Sequence, residues 1–151
     1  MEKENTNKKS LITLGTSSLL LLLGFVYFFN LNFKTIQVQG ESMEPTFLNG
    51  NRLLASNAYW LVGKIHAGDV VVIGGEEPGE YYIKRVYKLG GEKVDWLNIP
   101  QDYSLAEGDY TVPQGMVYVL GDNRDVSEDS RRFGPVESER ILGKIVLKRW
   151  L

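Results

Sequence analysis

"YYIKRVYKL", Tyr81 to Leu89, strings Tyr, Ile, Val and Leu together with three cations and contains neither Gly nor Pro. Aromatic and β-branched residues favour a pleated strand, so this stretch reads as β. Successive side chains of a strand alternate between faces. Lys84 therefore points the same way as Tyr82 and Val86, and Ile83 and Arg85 point the other way. "DVVVIGG" (69–75) precedes it and "MVYVLGD" (116–122) follows, and both have the same character. "TIQVQG" (35–40), "RLLAS" (52–56), "EKVDWL" (92–97) and "KIVLKRW" (144–150) complete the set. Gly, Pro, Asn or Asp separate these runs, the punctuation of an antiparallel domain with tight turns. The expected fold is mostly β, an antiparallel sheet curled on itself to limit exposed edges. Residues 98–114, "NIPQDYSLAEGDYTVPQ", are polar with two prolines and read as a small lobe or excursion between core strands. Only "NAYWLVGK" (57–64) has any helical period in this part of the chain.

The beginning of the chain is different material. Residues 1–10 are polar and lysine-bearing, and no charge occurs between Lys9 and Lys34. An apolar run of about 20 residues at 1.5 Å each matches a hydrocarbon core of about 30 Å, so residues 11–30 read as a transmembrane anchor. Lys3, Lys8 and Lys9 precede it and only Lys34 closely follows. That bias puts residues 1–10 in the cytoplasm and residues 31–151 on the extracytoplasmic face, a single-pass arrangement. A cleaved secretory signal would end in small residues. This run ends in "FVYFFNLNF", bulky throughout.

Composition then restricts the chemistry. The 151 residues suit one domain of ordinary size, and 17 basic against 19 acidic side chains give a net charge of −2. No basic excess exists to hold a phosphate backbone, so a nucleic-acid partner does not fit. With no cysteine and one histidine, His66, the chain lacks thiolate chemistry and a plausible imidazole metal site. The expectation is no metal and no cofactor.

"QGESMEPTF", Gln39 to Phe47, sets Ser42 between an acidic residue and a proline-bearing turn. A serine hydroxyl needs a base to take its proton. No motif surrounds His66, which leaves an amine, and Lys84 on the strand above is available. Burial disfavours the charged ammonium and lowers a lysine pKa from about 10.4 by several units, which turns the amine into a base. Each residue also has a plainer reading: Lys84 on a solvated strand face beside Arg85, Ser42 as a turn former.

A third stretch, "YVLGDNRDVSEDSRRFGP" (118–135), puts turn formers, hydroxyls and opposed charges directly after a strand. Together and in order, the anchor, "SMEPT", "YIKRVYKLGGE" and "GDNRDVSEDSR" resemble the type I signal peptidases of bacteria, in the short single-anchor form of Gram-positive species. These are membrane-bound serine endopeptidases that remove signal peptides. The resemblance covers nearly the whole chain. It implies that Ser42 is the nucleophile and Lys84 the general base of a Ser/Lys dyad. It further implies that Ser127 orients the lysine amine and that Asp129 and Arg131 form a bracing ion pair, with Asp122, Asn123 and Arg124 structural. Ile36, Val38 and Gly40 would lie along the substrate, with Tyr82 and Ile83 forming the opposite wall of pockets for small residues, as at Ala-x-Ala sites. Some members carry a serine oxyanion donor two residues before the nucleophile. Gly40 stands there in this chain, so a compensating donor is expected.

The implied partners are signal peptides of exported preproteins and the lipid bilayer, with clients either general or restricted to a set such as pilin precursors. The alternative is a non-catalytic relative that serves pilus or surface-protein assembly, and the presence of both Ser42 and Lys84 argues against it. A self-cleaving Ser/Lys repressor would carry a DNA-binding module in place of the anchor. A tethered β domain that only binds a partner would make the three motif blocks coincidental.

Overall fold

The computed structural model describes residues 2–149, with side chains from 14 to 147. Met1, at the head of the expected cytoplasmic segment, lies outside the described residues, as do Trp150 and Leu151 at the end of the last expected strand. The chain divides into two units, Met1–Phe33 and Lys34–Leu151.

The first unit is one helix, α1 (Glu2–Asn32). Its Leu14–Asn32 portion has a mean hydropathy of 1.7, and its large apolar side chains, among them Leu21 and Tyr27, are exposed. That combination is costly in water and suits lipid, where the helix satisfies its own backbone groups.

The second unit is built on seven strands: β1 (Phe33–Gln37), β2 (Arg52–Ser56), β3 (Val70–Gly74), β4 (Tyr81–Leu89), β5 (Met116–Leu120), β6 (Val136–Glu137) and β7 (Ile141–Arg149). They form one sheet in the order β1-β2-β7-β3-β4-β5-β6, with antiparallel pairing from β2 through to β6. β-Bulges interrupt the β2–β7, β3–β7 and β4–β5 ladders. Bulges of this kind increase local twist and bend a sheet. Two one-turn helices, α2 (Tyr59–Val62) and α3 (Ser130–Phe133), sit in connections. α2 falls within "NAYWLVGK". α3 arises where Asp129 caps the N–H of Arg131 through its carboxylate, a local contact that leaves no hydrophobic period to read.

Strand parity sorts the core. Val71 faces Lys84 across the β3–β4 ladder and Val86 faces Val119 across β4–β5. These valines belong to a cluster with Ile73, Val117, Val136 and Ile141 on the Lys84 face. The other face carries Ile83, Val70 and Leu53, closed by Val38, Met43 and Phe47. β4 is thus apolar on both sides, as a central strand must be.

One expected strand is corrected. "EKVDWL" contributes only a single bridge, Lys93 with Thr111. The chain turns immediately afterwards, where the Asn98 N–H donates to the Asp95 carbonyl and the Asp95 carboxylate accepts from the Tyr87 hydroxyl and the Asn98 amide. The excursion from the sheet accordingly occupies the whole interval between β4 and β5. Val94 and Val112 pack there against Tyr118 and Leu120.

Candidate active site

Ser42 leaves the sheet on the turn that follows β1. Gly40 permits that turn: its φ of +83° is left-handed, a conformation that other residues rarely adopt. A helical step closes the turn, with the Phe47 N–H donating to the Met43 carbonyl, and Met43 is buried beneath it. Ser42 itself stays half-buried, and its carbonyl accepts from the Asn123 N–H at 3.0 Å. That bond ties the serine turn to the loop after β5.

Lys84 comes from the middle of β4, where parity sends it onto the valine face, and only 4% of it is exposed. Burial there pushes its amine pKa down, and the nearby Asp129 and Glu128 carboxylates only partly offset the shift. The amine donates to Ser127 Oγ at 3.1 Å. Ser127 in turn bonds the Asp129 carboxylate. Asp129 is fully buried, and burial alone would raise its pKa. Arg131, the Gly121 N–H and Ser127 outweigh that cost and hold it below the ordinary carboxylate range. Arg131 reaches Asp129 at 2.9 Å, and the Gly121 N–H does so at 3.0 Å. Removing one partner of a buried pair costs about 3–5 kcal/mol, and the partial exposure of Arg131 favours the lower end.

Gly121 is where these groups crowd together. A Cβ there would lie 2.1 Å from Ser127 Oγ and 2.6 Å from the Ser42 carbonyl oxygen. The sequence marks this glycine only as a turn former, because its function is to leave space between segments remote in the chain. Asp122, next along, forms a two-point ion pair with Arg85, at 2.7 and 2.6 Å. Arg85 also donates to the Gly68 carbonyl. Lys84 thus turns inward while its neighbour Arg85 locks the strand to the loop on the opposite face. Arg124 contacts the Tyr87 ring and the Asn98 side chain.

Two cavities meet at the serine and the lysine. A small one, of about 60 Å³, lies between Val38, Met43, Tyr82 and Ile83 and reaches both Ser42 and Lys84. A large open one, of about 890 Å³, is also lined by Ser42 and Lys84, together with Gly40, Tyr82, Phe133 and Pro135. Ile36 borders neither; it packs against the cluster around Val38 and Met43. Met43 and Tyr81, which line the small cavity, went unremarked in the sequence, although Met43 is adjacent to Ser42. Five carboxylates, of Glu41, Glu76, Glu77, Glu80 and Glu128, border the large cavity. His66 is exposed and sits beside Asp69, outside both cavities. No cluster of potential metal ligands occurs among the described residues.

A family model described as "Signal peptidase, peptidase S26" matches residues 11–99 and 97–150. Signal peptidase IB of Staphylococcus aureus (strain COL) is 32% identical over 145 residues, covering 75% of this chain and 75% of that protein. Signal peptidase I of Bacillus caldolyticus is 32% identical over 146 residues, covering 78% of this chain and 80% of that protein. A crystal structure of a signal peptidase I from Enterococcus faecalis aligns with a TM-score of 0.43 and 28% identity, over 55% of this chain and 97% of that one.

Proposed function

The chain belongs to the signal peptidase family, peptidase S26, and is a signal-peptide-removing serine endopeptidase; we propose that Ser42 and Lys84 are the dyad that performs the cleavage. One observation carries this reading above the others: Lys84 is almost completely buried on an apolar face, yet it lines the same two cavities as Ser42. A lysine in that setting is suited to acting as a neutral base.

The hydrogen bonds suit the task. The Ser127 proton is committed to Asp129, so Ser127 Oγ accepts from Lys84. A neutral amine has two N–H bonds and one lone pair. Donating one N–H to Ser127 fixes the nitrogen and leaves the lone pair free for the Ser42 proton. Ser42 Oγ then attacks the scissile carbonyl carbon, and its proton passes to Lys84 Nζ. The ammonium returns that proton to the departing amine nitrogen as the C–N bond breaks. Water next attacks the resulting ester, and Lys84 takes up and returns the proton a second time. The Ser42 N–H serves as an oxyanion donor, and Gly40, which has no side chain, contributes nothing beyond its backbone.

The small cavity takes the side chains of small residues before the cut. Val38, Tyr82 and Ile83 supply its walls and Gly40 borders the passage, while Ile36 supports Val38 from behind. The N-terminal apolar helix fits a membrane-anchored enzyme. The lysine bias around it supports a single pass with residues 1–10 cytoplasmic and the sheet unit extracytoplasmic. Substrates are preproteins bearing signal peptides, and pilin precursors fall within that class. The deciding experiment incubates the purified full chain, in detergent, with a preprotein whose leader ends in Ala-x-Ala. Release of the mature protein is expected, and an intact preprotein would leave only a binding role.

Two results should accompany cleavage. The rate should rise with pH as Lys84 loses its proton, because the neutral form is the base. The lowered pKa puts this rise below the pH near 10.4 at which a free lysine titrates. A pH profile of kcat/KM reads it directly, and a midpoint at the ordinary lysine value would remove burial as the activating cause. Ser127→Ala should lower kcat about tenfold or more with little change in KM, since the hydroxyl positions the amine without touching substrate. Steady-state kinetics would detect the split.

A further inference from the structure

Four residues border both the small and the large cavity: Ser42, Lys84, Gln39 and Tyr82. Tyr82 is 43% exposed, which leaves much of its side chain without neighbours to hold it. Its hydroxyl is bonded instead to the carboxylate of Glu80, two residues before it in the chain. That bond holds the Glu80 carboxyl below the ordinary carboxylate range and the Tyr82 hydroxyl above the ordinary phenol value. The acceptor therefore stays charged and the donor keeps its proton.

Glu80 is itself held by the turn it closes between β3 and β4. The Gly75 N–H donates to the Glu80 carbonyl at 2.9 Å, and the Glu80 N–H donates to the Glu77 carbonyl at 3.1 Å. The Glu80 carboxylate also accepts from the Glu76 N–H at 3.2 Å. The side chain folds back over Gly75: a Cβ on that glycine would lie 2.3 Å from Glu80 Oε2 and 2.5 Å from Glu80 Cγ. The φ of Gly75 is not left-handed, so glycine is needed there for room and not for backbone freedom. A carboxylate restrained in this way is a fixed anchor for the hydroxyl it accepts from.

We propose that Glu80 is the positioning residue that holds the Tyr82 side chain in the wall shared by the two cavities, and so sets how sharply the enzyme rejects larger side chains before the cut. The assignment rests on the Ser42/Lys84 reading above and on the small cavity as the pocket for residues before the cut. A pocket of about 60 Å³ selects by overlap, and overlap is costly only where the wall cannot yield. A half-exposed ring with a free hydroxyl swings aside easily. A ring tied at its hydroxyl does not, and Glu80 acts through that tie.

The test uses the purified full chain in detergent and preproteins that are identical except at the last and third-last leader residues, where Ala is replaced by Val one position at a time. The readout is the ratio of kcat/KM for the Ala substrate over the Val substrate, which does not depend on how much of a variant is folded. The wild type should give a ratio of about 10² at one position or both. Glu80→Ala should lower that ratio about tenfold, chiefly through faster cleavage of the Val substrate. Tyr82→Phe keeps the ring and loses the bond, so it should lower the ratio equally, and adding Glu80→Ala to it should lower the ratio no further. Gly75→Ala, which evicts the carboxylate, should match them, and Glu80→Gln, which keeps an oxygen to accept the bond, should stay near the wild type. An unchanged ratio in Glu80→Ala overturns the proposal, as does a further fall in the double variant. A wild type that cuts the Ala and Val substrates alike overturns it too and leaves the dyad reading standing. Failure of the wild type to cut any of the preproteins overturns the dyad reading, and the positioning role with it.

Discussion

Ser42→Ala and Lys84→Ala, made separately in the full chain, should each reduce signal-peptide cleavage by about 10⁴-fold or more, and the double variant should be scarcely worse than either. The non-additivity is the informative part. A hydroxyl without a base to accept its proton is as inert as a missing hydroxyl, so the second loss removes nothing further. Both variants should remain folded. Ser42 is half-buried on a turn, and replacing Lys84 relieves the cost of burying an amine in a residue that is only 4% exposed. Single-turnover assays with unchanged circular dichroism would check both statements. Substantial turnover by Lys84→Ala would require another base, and His66, exposed beside Asp69, lies outside both cavities.

Gly121→Ala should cost about 10²-fold or more in kcat while adding only one methyl group. The new Cβ would stand 2.1 Å from Ser127 Oγ, 2.5 Å from Ser127 Cβ and 2.6 Å from the Ser42 carbonyl oxygen. All three are far inside van der Waals contact, so the serine turn and the Ser127 loop must separate. Displacements of about 1 Å at reacting groups are enough for losses of this size. The readout is kcat together with the pH profile. If the loop moves, Lys84 loses its hydrogen bond to Ser127 and the pH at which the rate rises should shift. Near-normal kinetics would show that the two segments can spread without disturbing the amine.

The sheet was largely legible in the sequence because its strands announce themselves by local chemistry. Val70–Gly74, Tyr81–Leu89 and Met116–Leu120 are dense in β-branched and aromatic residues and bounded by turn formers. "EKVDWL" satisfies the same local rule and fails as a strand because Asp95 and Asn98 offer a competing turn. The two-residue β6 and one-turn α3 are too short to carry any period. At the site, strand parity indicated which face Lys84 occupies, but its burial depends on cross-strand neighbours such as Val71, which sequence order does not place beside it. Ser42 and Lys84 were raised by their own local patterns, each beside a plainer reading, while Ser127, Asp129 and Arg131 were singled out only through the resemblance; the structure brings the segments of all five together. Gly121 could not be read at all, since its contribution is an absence of atoms between two segments. The cavity walls were the least legible: Ile36 borders no cavity, whereas Met43 and Tyr81 do.

The interval between β4 and β5 joins the neighbouring strands that carry Lys84 and lead to Ser127. Its base is clamped by paired backbone bonds, Gly91 N–H to the Val112 carbonyl and Val112 N–H to the Glu92 carbonyl. Beyond that clamp the chain is still tied to the loop that carries Asp129, since the Gln101 N–H donates to the Arg131 carbonyl and Arg124 donates to the Asn98 side chain. Natural variation in the length or sequence of this interval would therefore be felt at the bracing ion pair, so that the excursion and the bond-breaking site are constrained to change together in one small enzyme.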